Sequence, residues 1–119
     1  MKAEITAAIN AHGAWKEKLK AAIETGKSES IPDSVAPDSN CAFGKWLYSL
    51  NGAEIQSENY TEVKDLHAQF HKAAANVLKI ALSGQKEEAT KQMDLGSDYV
   101  KASSNLILAM GRWGRSVVE

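Results

Sequence analysis

Apolar side chains return every three or four positions along most of this chain, with charged and small polar residues between them. That is the period of an α-helix with one buried face, and no stretch alternates every second residue for long enough to make a strand. In the first segment Ile5, Ala8, Ile9, His12, Trp15, Leu19, Ala22 and Ile23 share a face, and Gly26 is placed to end the helix. The following KSESIPDSVAPDSN holds both prolines and has no period, so it reads as a loop. A short second helix carries Phe43, Trp46, Leu47 and Leu50, capped by Asp38 or Ser39 and closed by Asn51-Gly52. Asn59 with Glu62 resembles a capping pair for the third helix. Its stripe runs through Val63, Leu66, Phe70, Ala73, Ala74, Val77 and Ala81 to Ser83-Gly84. The last periodic segment is the longest, about 30 residues or ~45 Å at 1.5 Å per residue. Ala89, Met93, Gly96, Tyr99, Val100, Ser103, Leu106, Ile107, Met110, Trp113 and Val117 keep its register. Three long helices and one short one predict an all-α fold, an antiparallel four-helix bundle.

Composition narrows the class without naming a function. The 119 residues suit one domain spanning 1–119, with 44% apolar residues, 24% charged residues and a net charge of −1. Nucleic-acid binding rewards a concentrated basic patch, which this balance lacks. One cysteine cannot form an internal disulfide. The N-terminal MKAEITAAINAHGAWKEKL has no continuous apolar core of a signal peptide, and no run approaches the ~20 apolar residues that span a bilayer. The expected compartment is the cytoplasm, with no membrane and no nucleic acid among the partners.

The chemistry concentrates in four residues. His67 and His71 stand four apart in LHAQFHKAA. With Leu66 at zero on a helical wheel, they lie at about 100° and about 140°, on the shoulder of the apolar face. One turn apart, their nitrogens can meet one metal ion. His12 falls in the middle of the first helix's stripe, three residues from both Ile9 and Trp15. A buried imidazole there must find a partner. Cys41 lies off the stripe of its helix, but in the first turn, where free backbone N–H groups and Lys45 favour a thiolate. Gly44 leaves space for another helix or an ion. Each residue alone has a plain explanation: a solvated HxxxH pair, a satisfied core histidine, a small buried thiol. Together they number the ligands of a closed tetrahedral zinc site. Asp94 and Asp98 are weak candidates to accept from the outer ring nitrogens, a solvated face being the plainer reading for them.

His12 with Trp15, then CAFGKWL at 41–47, then HAQFH at 67–71, resembles the chemoreceptor zinc-binding (CZB) family, from about residue 5 to about residue 110. The resemblance implies one zinc ion held by His12, Cys41, His67 and His71. It implies a bacterial sensory domain that responds to zinc or to oxidants such as hypochlorous acid. Such domains regulate chemotaxis or diguanylate cyclase signalling through a fused output domain or a separate signalling partner. The sequence contains neither a methyl-accepting coil nor a cyclase domain, so the chain is expected to be either a free-standing member or an excised piece, and the output is not read from it. Because Cys41 alone follows a flexible proline-containing loop, loss of its bond is expected to loosen residues 38–52 first.

Other readings of the same bundle differ in their demands. A zinc-stabilised interaction bundle needs no signal. A hemerythrin-like di-iron site needs more histidines than three, and the Glu-x-x-His pattern is absent, with Lys64 and Ala68 where its glutamates would stand. Covalent haem needs Cys-x-x-Cys-His, also absent. Four protein ligands leave no open position for hydrolysis, so an enzyme is not expected. A homodimer is expected through the long helices, with Leu106, Ile107, Met110, Trp113 and Val117 extending past the shorter helices. Close backbone approach at Gly96, Gly111 and Gly114 would support it.

Overall fold

A computed structural model describes residues 2–28 and 30–117. The helices are α1 (Lys2–Thr25), α2 (Pro32–Val35), α3 (Ala42–Ser49), α4 (Glu58–Leu82), α5 (Lys86–Lys91) and α6 (Asp98–Ser116), with a 3-10 turn at Gly52–Gln56. No strand occurs among the described residues. Side chains from opposite ends of the sequence fix the directions. Asn59 reaches Ser116, Glu62 pairs with Arg112, and Ile5 lies 3.6 Å from where a Gly114 side chain would begin. So α1 and α4 run parallel, with α6 antiparallel to both. Cys41 lies level with His67, and the Leu47 carbonyl level with Tyr60, so α3 also runs against α4. The all-α, up-down-up-down four-helix bundle is therefore present. Its core is built from Ile5, Leu19, Leu47, Val63, Phe70, Leu78, Leu106 and Met110, all essentially inaccessible.

The fourth corner of the bundle is shared. α3 is eight residues long against 24 for α1 and 25 for α4, so it covers only the lower half. The upper half is covered by the stretch between α1 and α3, expected as a loop without period. It contains α2, with Pro32 in the first turn where its missing N–H costs nothing. Val35 is buried, and α2 packs on α4. Here the chain is pinned as well as connected.

Three expectations about element ends are corrected. The cap of α3 is Cys41, whose sulfur accepts the Gly44 N–H at 3.3 Å, and neither Asp38 nor Ser39. α4 is capped by Ser57, whose hydroxyl accepts the Tyr60 N–H at 3.0 Å. Asn59 and Glu62 are spent on contacts with α6 instead. The last segment is not the longest helix. It breaks between α5 and α6, at Gly96 with φ 85° and Ser97 capping Val100, leaving α6 with 19 residues. In the sequence Ala89, Met93, Gly96 and Tyr99 still follow one another at steps of three and four, which hides the break from periodicity.

Candidate metal centre

The four sequence-selected residues converge at mid-height, where the fourth corner passes from loop to α3. His12 comes from α1, His67 and His71 from α4, and Cys41 from the start of α3. All four offer a ligand atom, and these atoms lie within 4.8 Å of one another. His67 Nε2 is central, 3.1 Å from His12 Nε2, 3.1 Å from His71 Nε2 and 3.3 Å from Cys41 Sγ. His67 and His71 are more deeply buried than their shoulder position implied, at 0% and 3% exposure, and His12 is as buried as its place in the middle of the stripe implied, at 3%. At His71 the added cover comes from α2, whose Val35 carbonyl lies 2.7 Å from its Nδ1. Phe43 and Phe70 close the surroundings, with Phe43 edge-on to His67 at 5.1 Å and Phe70 edge-on to His12 at 5.2 Å.

The outer nitrogens decide what the inner ones are. His12 Nδ1–H donates to the Ala8 carbonyl at 2.8 Å, and His71 Nδ1–H to the Val35 carbonyl at 2.7 Å. A carbonyl only accepts, so both rings carry their proton outside and present a bare Nε2 lone pair inside. Asp94 and Asp98, considered for this role, are exposed and take no part. The acceptors are backbone carbonyls, which no residue pattern advertises. Burial holds His12 down at about 4 and His67 down at about 3, and lowers His71 as well. All three are neutral at pH 7. Burial pushes the Cys41 thiol up, against the pull of the Gly44, Phe43 and Cys41 N–H groups. Gly44 does leave space, but the Asp38 carbonyl fills it, and a Cβ there would collide with that oxygen.

A model of the family described as chemoreceptor zinc-binding domain matches residues 12–78, more than half of the chain. The chain belongs to the CZB family. Neither a curated protein nor a solved structure gives a significant match. The matched CZB segment contains all four converging residues and ends before α5 and α6. The bare Nε2 lone pairs of His12 and His71, the Nε2 of His67 and the Cys41 sulfur meet around one point, an arrangement that a cation between them would satisfy. The donor set suits zinc: bond lengths of ~2.0–2.1 Å to nitrogen and ~2.3 Å to sulfur give tetrahedral edges of about 3.3–3.6 Å. The three contacts of His67 fall within a few tenths of an ångström of that. The residues present therefore fit the ion that a CZB domain binds.

Proposed function

We propose that this chain binds one zinc ion through His12, Cys41, His67 and His71 and serves as a cytoplasmic sensory domain of a bacterial signalling system. The observation that carries the reading is the set of inward lone pairs, with the protons of His12 and His71 committed to the Ala8 and Val35 carbonyls. With four protein donors the coordination is closed, which supports a regulatory role over a catalytic one. Zinc itself, or an oxidant acting on the Cys41 sulfur, would be the signal. A fused output domain or a separate partner would act on chemotaxis or cyclic-dinucleotide synthesis. Metal analysis of purified protein tests the site: one zinc per chain, with one sulfur and three nitrogen neighbours by X-ray absorption. Oxygen neighbours, or no sulfur, would remove Cys41.

One observation favours a second reading. The donors come from α1, α3 and α4, so an ion there ties together three elements of the bundle. That would suit a purely structural zinc. Hydrogen exchange separates the two, since a sensor loosens locally on zinc loss while a structural ion protects the whole bundle.

A homodimer through the long helices is part of the proposal. Its support has narrowed, because Met110 and Trp113 are buried within the chain and Gly114 faces Ile5. What remains is the outer face of α6, where Leu108 is 61% exposed. No helix among the described residues is long and apolar enough to cross a membrane.

A further inference from the structure

The three imidazoles face the centre with the same nitrogen, yet only two have the other nitrogen held. His67, the central ring, has a buried Nδ1 with no hydrogen-bond partner among the described residues. Asp38 Oδ2 lies 3.7 Å from it. We infer that the Asp38 carboxylate is the positioning group of His67: it takes the Nδ1–H hydrogen bond when a cation occupies the Nε2 side, and so sets the affinity of the centre. This inference rests on the metal-binding reading above.

Asp38 is placed for that task from every side. Its carboxylate is only 17% exposed, and the Tyr48 hydroxyl donates to the same Oδ2 at 2.7 Å. Its backbone carbonyl lies 3.7 Å from Cys41 Sγ and packs against Gly44, where no side chain would fit. The loop is therefore held close to the centre, and the carboxylate needs to travel less than about one ångström to reach hydrogen-bond distance. The N-terminus of α3 makes no competing claim on it, because Cys41 already caps that helix. A cation on Nε2 draws electron density from the ring and makes Nδ1–H a stronger donor. A carboxylate answers with a charge-assisted bond, which two backbone carbonyls do not provide. Charge argues the same way. Zinc with one thiolate leaves a net single positive charge, and the Asp38 carboxylate is the negative group that cancels it.

The test measures zinc affinity of the full chain by competition with a chromogenic chelator. It also follows the ring N–H groups of the three histidines by 15N NMR of the zinc-loaded protein. Asp38→Ala is expected to weaken zinc binding roughly 10–100-fold. It should shift or abolish the His67 Nδ1–H signal while those of His12 and His71 stay in place. Asp38→Asn keeps an oxygen acceptor of the same size without the charge, and is expected to retain a shifted His67 signal and an intermediate affinity. Unchanged affinity in Asp38→Ala overturns the inference. So does a loss in which all three ring signals move together, which would mean that Asp38 only shapes the loop. If Asp38→Ala fails to fold, Asp38→Asn decides, and wild-type affinity with an unshifted His67 signal overturns it. A wild-type chain that takes up no zinc would instead sink the metal-binding reading itself.

Discussion

Cys41 Sγ accepts the Gly44 N–H as a helix cap and also faces His67 across the centre. Two substitutions separate those tasks. Cys41→Ser keeps an atom well suited to capping but supplies a poor zinc ligand, whereas Cys41→Ala removes both. In the presence of a chelator, urea unfolding should find Cys41→Ala less stable than Cys41→Ser by about 1 kcal/mol. Protons give a second residue-scale prediction. The histidines are already neutral at pH 7 and the thiol is not yet ionised, so zinc uptake should release one proton, from Cys41. Calorimetry in buffers of different ionisation enthalpy measures it, and Cys41→Ala should release none. The signs for stability follow from the same depressed values. Below about pH 6.5 the unfolded chain protonates its histidines, while the folded chain resists down to about 4 at His12 and about 3 at His67. Stability of the zinc-free fold should therefore fall as pH drops from 6.5 towards 5, by chemical denaturation at each pH. The four donors were legible because histidine and cysteine are scarce here and sit at inward or helix-end positions. Asp38 was read only as a cap, since its distance to His67 depends on a loop path that the sequence does not state.

At the scale of elements, the decisive feature is that α3 and the stretch before it share one corner of the bundle. The Val35 carbonyl holds His71, Val35 is buried, and Asn40 Nδ2 donates to the Ser34 carbonyl. So the proline-containing stretch is tied to the same centre as α3. Loss of the zinc–sulfur bond should loosen residues 32–52 as one unit, and not residues 38–52 alone. Hydrogen exchange on zinc-loaded, chelated and oxidised protein checks this, with 60–82 expected to stay protected. Gly44 is the tightest point of that unit. Gly44→Ala should cost about 1–3 kcal/mol by overpacking against the Asp38 carbonyl, and weaken zinc binding as Cys41 shifts. Periodicity revealed α1, α3, α4 and α6 because each buries one continuous stripe. It missed α2, which is too short for a period, and the break at Gly96, where the register on either side happens to agree.

Across the whole molecule, α6 packs on both α1 and α4 but contributes none of the four donors. An ion would cross-link the other three corners while α6 seals the core behind them. Ligand linkage then predicts that zinc at about 1,000 times its dissociation constant stabilises the fold by ~4 kcal/mol. Scanning calorimetry should see a rise in Tm on the order of 10–20 °C. For the proposed dimer, light scattering at tens of micromolar should report twice the mass of 12.9 kDa. Leu108→Glu should return it to the monomer value. The aromatic rings supply a last consequence. Trp46 lies 5.6 Å from Phe43, which meets His67 edge-on at 5.1 Å, and on its other side Trp46 lies 5.8 Å from Trp113 of α6. Two indoles so close and tilted by 41° couple their strong electronic transitions, so far-ultraviolet circular dichroism should carry a signed couplet from this one pair. Any displacement of α3 relative to α6 changes that couplet without a label being attached, and Trp113→Phe should abolish it while leaving the zinc ligands untouched.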